Sequence, residues 1–295
     1  MAAERPVKSI DRGALGKARF YLGKSDTEID YYSAEVGQIA ASTVGDAEKE
    51  GPNEDSAAIV PVDGEYLVLM VADGVGGMAG ARRASNLTVS TIRESLAKLT
   101  DVTARRLRSA ILDGIETANR RVMEQANGSA STLALAEIGP GYVRTYHIGD
   151  SVLILCGQRG RIKLQTTPHS PVGFAMEAGL LDEKDALEHA ELNLIFNVIG
   201  SNDMRIEIGS ELPMASRDTL LLASDGLMDN MMQEEIVNTI RKGCLQAAIR
   251  ELTTTAQRRM QSLDAGKPSK PDDFTAILFR RHPPRRRRPE QPSIR

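Results

Sequence analysis

The 295-residue sequence predicts an α+β fold, with antiparallel sheets covered by two pairs of helices. Three observations predict it. Short apolar runs follow one another, separated by hairpin-length turns rich in glycine. Two segments of helical periodicity follow the first pair of runs, and two more precede the last run. Hydrophobic residues make up 41% of the chain and charged residues 26%, the balance of a globular protein with a core. Aromatics are only 4% and Trp is absent, so that core is aliphatic. The same scarcity argues against a base-stacking platform for nucleic acid.

Taken in order, residues 1 to about 40 read as a loosely structured lead-in segment. From Ser56 the chain turns strand-rich: "SAAIVPV" and "YLVLMVA" flank Asp63-Gly64-Glu65, a hairpin turn. Segments from about 80 to 99 and 102 to 126 are helical. In the second, Leu107, Ile111, Ile115, Ala118 and Val122 recur every three or four positions. Strands resume with "STLALAEI", "YVRTYHI", "SVLILC" and "RIKLQT". Residues 171–190 read as an inserted loop with one short helix. The strands "NLIFNVIG", "RIEIGSEL" and "DTLLLAS" follow, then two helices between about 232 and 263, and a last strand, "FTAILFR".

The net charge of −3 conceals an asymmetry. The final sixteen residues carry seven Arg and one Glu, which leaves −9 on the body of the chain. An acidic body suits a site that collects cations and disfavours a general nucleic-acid surface. The Pro- and Arg-rich tail, 282–295, reads as disordered. The N-terminus has no secretory apolar region, no run approaches a membrane span, and Cys156 and Cys244 lack metal spacing. A cytoplasmic protein with reduced thiols is expected.

"VADGVGGMAG" (71–80) admits two readings. Gly74, Gly76 and Ala79 fit a dinucleotide fingerprint, with Glu94 at the distance of a ribose contact. Asp73, however, would oppose a bound pyrophosphate, and an antiparallel run follows where a parallel strand is required. The strand ends support a different use. With Gly64 at the hairpin centre, Val62 faces Tyr66 and the outermost pair is Asp55 with Asp73, Cα atoms roughly 5 Å apart. Asp150, Asp225 and Asp272 also stand at strand ends, and antiparallel pairing lets all five reach one rim. Clustered carboxylates repel one another unless cations neutralise them. An all-oxygen set selects Mg²⁺ or Mn²⁺.

"NEDSAAIV", "VADGVGG", "STLALA", "HIGDSVLIL", "LLLASDGLMD" and "PDDFTAILF" resemble, in order and spacing, the PPM (type 2C) metal-dependent Ser/Thr protein phosphatases of bacterial type. The resemblance covers about residues 45 to 281. It implies a four-layer αββα sandwich with a binuclear Mg²⁺/Mn²⁺ centre at one end, within a phosphatase domain over 41–281. It implies that Asp73 bridges two ions with the Gly74 carbonyl completing one, and that Asp225 and Asp272 bind the other. Asp55 or Glu54 is a further ligand, directly or through water. Asp150 with Asp225 resembles the pair that holds a third ion, and residues 171–192 resemble the family's flap.

Two positions depart from the family. An arginine that grips substrate phosphate is replaced by Glu50, beside Lys49, which offers a point charge without a bidentate fork. Val75 stands where many relatives carry a His. Arg82 or Arg83 is a second candidate for the phosphate cation. His147, His169 and His189 read as structural, Met228, Met231 and Met232 as packing, and Arg105/Arg106 as a solvated face.

The implied activity is hydrolysis of phosphoserine or phosphothreonine by a metal-activated water, with Asp73 and Asp225 as the catalytic acids. The expected partner is a phosphorylated protein, a cognate Ser/Thr kinase or its targets, met by a monomer. The rival is an inactive interaction module of the same fold.

Overall fold

The computed structural model describes residues 8–25, 28–46, 51–76, 78–187, 189–191, 194–261 and 267–282. The strands before the first helix are β1 (Lys8–Ala14), β2 (Arg19–Leu22), β3 (Glu28–Ser33), β4 (Gly37–Val44), β5 (Ser56–Val62), β6 (Tyr66–Ala72) and the two-residue β7 (Gly74–Val75). Helices α1 (Met78–Leu96) and α2 (Ala104–Gln125) follow, then β8 (Ala130–Ser131), β9 (Leu133–Gly139), β10 (Tyr142–Ile148), β11 (Val152–Cys156) and β12 (Ile162–Gln165). Helices α3 (Pro171–Glu177) and α4 (Glu183–Leu187) interrupt the strands. The chain ends with β13 (Glu207–Ile208), β14 (Leu212–Pro213), β15 (Thr219–Ala223), α5 (Asp225–Met228), α6 (Gln233–Ile240), α7 (Leu245–Gln261) and β16 (Phe274–Arg281).

Two sheets form the centre. One runs β1-β3-β4-β16-β15-β11-β12. The other runs β13-β10-β9-β6-β5-β2, with β14 also on β10. All their pairings are antiparallel except β1 with β3 at one edge. Strand alternation sets the layers. Along β6, Leu67, Leu69 and Val71 enter the core between the sheets, while Val68, Met70 and Ala72 face the core under α1 and α2. Along β16, Ile277 and Phe279 point inward, and Ala276 and Leu278 point toward α6 and α7. The result is the four-layer αββα sandwich.

Helix α2 forms where its apolar spacing is read. Thr103 caps it by accepting the N–H of Arg106, and Leu107, Ile111, Ile115, Ala118 and Val122 are buried along one face. Each of its larger aliphatic side chains contributes about 1.5–3 kcal/mol by leaving water.

Three expectations are corrected. The lead-in segment is not loose, because β1 to β4 pair within the two sheets between residues 8 and 44. β1 and β3 are rich in polar residues, so the apolar pattern is weak there. A buried Asp30 accepts hydrogen bonds from Tyr21 (2.8 Å), Tyr32 (3.0 Å) and Arg12 (2.6 Å). "NLIFNVIG" makes no strand beyond a single bridge from Ile199 to Ser131. Of its apolar residues, Phe196 stacks on Phe174 of the inserted segment with ring centroids 5.1 Å apart, and Ile199 is buried in the core under α1 and α2. The inserted segment itself holds two short helices, α3 and α4, where one is expected.

Candidate active site

The β5–β6 hairpin has the register deduced from its turn, Val62 with Tyr66 outward to Ser56 with Ala72. Asp55 and Asp73 therefore flank its open end. On the facing sheet, Ala223 pairs with both Val152 and Ala276. Asp225 lies two residues past that row, Asp150 two before it, and Asp272 four before it. The same end of the sandwich thus carries all five acids.

Their electrostatics records the convergence. Burial, and then the charges of Asp225, Asp55, Asp150 and Asp272, push the Asp73 carboxyl well above the usual range. Asp55 is raised by burial and by Asp273 and Asp225, and Asp150 by burial and by Asp225 and Asp229. Asp225 and Asp272 are each pushed up to about 6, mainly by burial. No histidine or cysteine enters this group, so its donors are hard oxygens.

Local bonds aim these acids. Ser224 Oγ donates to Asp55 Oδ2 (2.7 Å) and accepts the N–H of Thr275 (3.0 Å). Asp55 Oδ1 and Asp150 Oδ1 are buried without a donor. Thr132 Oγ1 accepts the N–H of Asp73 (2.9 Å), and the N–H of Thr132 returns to the Asp73 carbonyl (2.9 Å). The carboxylate of Asp273 accepts the N–H groups of Asp46 (2.9 Å) and Glu54 (2.8 Å), tying the ends of the connection between β4 and β5 to the start of β16. Glu54 is buried beside Asp55, its carbonyl accepting from Ser85 Oγ. At Gly74 a Cβ would stand 2.3 Å from the Ala81 carbonyl oxygen, and at Gly226 2.1 Å from that of Asp273. Both close approaches require glycine.

Sequence reasoning missed four residues here: Thr132, Ser224, Asp229 and Lys270. Carboxylate oxygens of Asp225, Asp229 and Asp272 lie within 4.8 Å of one another, and the Lys270 ammonium bonds Asp229. The signal for Asp229 was its place in "SDGLMD". Lys49 and Glu50 fall outside the described residues, as do residues 283–295. Arg82 and Arg83 are exposed on α1, where Arg83 reaches Gln125 (3.4 Å). Arg105 and Arg106 are also exposed. Met231 is buried against α6 and α7, with Met228 packed beside it.

The rings of His147 and His169 meet at a tilt of 44°, centroids 4.6 Å apart, and share Glu207. His147 Nε2–H donates to the Ser151 carbonyl (2.8 Å), and its Nδ1 lies 4.0 Å from Glu207 Oε2. His169 Nδ1 accepts from the N–H of Gly149 (3.1 Å) and from Asn197 Nδ2 (2.9 Å). Its proton is therefore on Nε2, which donates to Glu207 Oε2 (3.0 Å), so that nitrogen has no lone pair for a metal. His147 and His169 hold the Glu207 carboxyl down to about 2. This group is a clasp that fastens the Asp150 turn to the base of the inserted segment. His189 is exposed on that segment.

A cavity of about 340 Å³ opens between α3, α4 and α5. Asp150 and Asp225 stand on its wall with Val172, Met176, Ala186 and Met228. The dinucleotide reading fails on topology, because β6 is flanked on both sides by antiparallel strands, β5 and β9. Among the described residues no helix is long and apolar enough to cross a membrane.

The chain is similar in sequence and fold to known proteins. The serine/threonine phosphatase stp of Listeria welshimeri is 28% identical over 198 residues, 64% of this chain and 77% of the relative. Protein phosphatase PhpP of Streptococcus pneumoniae is 30% identical over 176 residues, 57% of this chain and 70% of that protein. The serine/threonine phosphatase of S. agalactiae superposes with a TM-score of 0.71 at 25% identity, covering 83% of this chain and 99% of the other. The sequence pattern of one family, protein phosphatase 2C, extends over residues 45–265. The chain belongs to the protein phosphatase 2C family.

Proposed function

We propose that the protein is a metal-dependent phosphatase that hydrolyses phosphoserine and phosphothreonine esters in proteins. One observation carries the reading: five aspartates meet at one rim, and the buried Oδ1 atoms of Asp55 and Asp150 have no hydrogen-bond donor. Leaving such oxygens bare costs folding energy that a bound cation recovers. An inactive interaction module has no use for that cost.

The donor set fits Mg²⁺ or Mn²⁺. Asp73 would hold two ions, the Gly74 carbonyl completing one, with Asp225 and Asp272 on the other and Asp55 or Glu54 as a further ligand. Asp150 with Asp225 would hold a third. Bound divalent ions supply an acidified water and offset the charge of the phosphoryl oxygens. The protein's own groups do the positioning. Ser224 fixes the Asp55 carboxylate, Thr132 fixes the Asp73 backbone, and Asp273 locks Glu54 against β16. The glycines at 74 and 226 let the chain close around the rim. Val75 has no proton to give a leaving group. Lys49 is our candidate for the substrate phosphate.

The protein acts on phosphorylated proteins, among them a cognate Ser/Thr kinase or its targets, as a monomer in the cytoplasm. The unpaired thiols of Cys156 and Cys244 support that compartment. Asp73→Asn and Asp225→Asn should each lower Mn²⁺-dependent hydrolysis of p-nitrophenyl phosphate by roughly 10³-fold, the scale of several kcal/mol of lost charge stabilisation. Wild-type rates in either variant would remove the assignment.

A further inference from the structure

Lys270 is a cation inside the acidic rim. Its ammonium bonds the Asp229 carboxylate and lies 3.6 Å from Asp272 Oδ2 and 3.8 Å from Asp225 Oδ2. Those three residues are the ones whose carboxylate oxygens cluster within 4.8 Å, the spacing of a ligand set around one ion. The ammonium therefore stands against the carboxylates that a divalent ion would use.

Its backbone is built to be there. The N–H of Lys270 donates to Asn230 Oδ1 (2.9 Å), and Asn230 Nδ2 donates back to the Lys270 carbonyl (2.8 Å). Asn230 is fully buried, also bonds the Gly226 carbonyl (2.9 Å), and has its own carbonyl held by Arg259 (2.7 Å). The preceding Ser269 hydroxyl donates to the Arg259 carbonyl (2.6 Å). The Cα of Lys270 is thus fixed relative to Asp225 and α7, and the ammonium is carried on a flexible four-carbon stem. A surface lysine drawn toward acids by chance would have no such mounting.

We propose that Lys270 is a resident counter-ion which a divalent metal must displace from Asp225 and Asp272, so that it sets this protein's metal affinity. In the metal-free protein the ammonium offsets repulsion among three acids that would otherwise face one another unneutralised. When a divalent ion enters between Asp225 and Asp272, the ammonium becomes a like charge at close range and is left with Asp229 as its partner. The consequence is a weaker metal site and a more stable metal-free fold than the same acids would give alone. The phosphatase then responds to divalent-ion concentration over a higher range.

The inference rests on Asp225 and Asp272 being ligands, as proposed above, and the experiment separates the two. Titration calorimetry with MnCl₂ at fixed pH and ionic strength, on the full chain, compares wild type with Lys270→Met, Lys270→Arg and Asp225→Asn. Lys270→Met should bind Mn²⁺ roughly tenfold more tightly, the scale of removing one unit charge from beside the ion. Its EDTA-treated form should melt at a lower temperature than wild type, and its rise in melting temperature on adding Mn²⁺ should be larger. Lys270→Arg keeps the charge and should follow wild type. If Lys270→Met fails to fold, Lys270→Gln carries the same expectation. Unchanged or weaker Mn²⁺ binding in the folded Met or Gln variant overturns the counter-ion proposal. If Asp225→Asn still loses a bound ion in that case, the reading of the rim survives; if it retains every ion, the rim assignment fails instead.

Discussion

Ser224 illustrates how much of the site depends on single bonds across the molecule. Its hydroxyl donates to Asp55 Oδ2 and accepts from the Thr275 N–H, so it joins β5, β15 and β16 at the rim. Both partners are buried. Ser224→Ala leaves a carboxylate oxygen and an amide unpaired, and should cost about 1–3 kcal/mol in urea denaturation. Mn²⁺ affinity should fall with it, because Asp55 loses the donor that orients it. A variant as stable as wild type would show that the bond is dispensable. The strand-end aspartates were legible in the sequence, because turn chemistry fixes the hairpin register and places Asp55 opposite Asp73. Ser224 and Lys270 were not. Ser224 acts on Asp55 across 169 positions, and Lys270 is an ordinary lysine until Asn230 is seen to hold it.

At the scale of elements, α6 and α7 are joined by one ion pair that reaches the site indirectly. Arg259, nearly buried on α7, makes a two-pronged contact with Glu235 on α6 at 2.9 and 3.0 Å, and its guanidinium also holds the Asn230 carbonyl. Glu235 accepts the Met232 N–H at the start of α6 as well (3.2 Å). Arg259 first, with Lys267 beside it, holds the Glu235 carboxyl down to about 2. An unfolded glutamate titrates near 4.3, so the unfolded chain takes up the proton first as pH falls. The pair's contribution is therefore complete above about pH 4.5 and is lost as pH falls toward 2. Glu235→Gln should destabilise the protein by roughly 1–3 kcal/mol at pH 7. The gap to wild type should narrow over that acid range, as followed by chemical denaturation at several pH values. A gap independent of pH would assign the loss to packing instead. The helices themselves were legible, since their apolar stripes repeat at helical spacing. The first four strands were not, because Asp30, Tyr21, Tyr32 and Arg12 satisfy one another there in place of an apolar pattern. "NLIFNVIG" misled in the opposite sense: Phe196 stacks on Phe174 of the inserted segment, and Ile199 makes a single bridge to Ser131.

The whole molecule is two sheets whose facing surfaces make one apolar core and whose outer surfaces each bury a helix layer. That architecture brings the ends of β5, β6, β11, β15 and β16 to one rim, although the acids they carry are spread from residue 55 to residue 272. The layer order follows from alternation and turn length, so it could be read in advance. The side-chain supports of the rim depend on pairing between distant strands, and no local pattern announces them. The central claim is that this rim exists to hold divalent ions. Anomalous scattering from crystals grown with MnCl₂ tests it most directly. Two or more manganese peaks should appear among Asp73, Asp225 and Asp272, one of them beside the Gly74 carbonyl. A rim with no peak, its acids paired only with protein groups, would contradict the account.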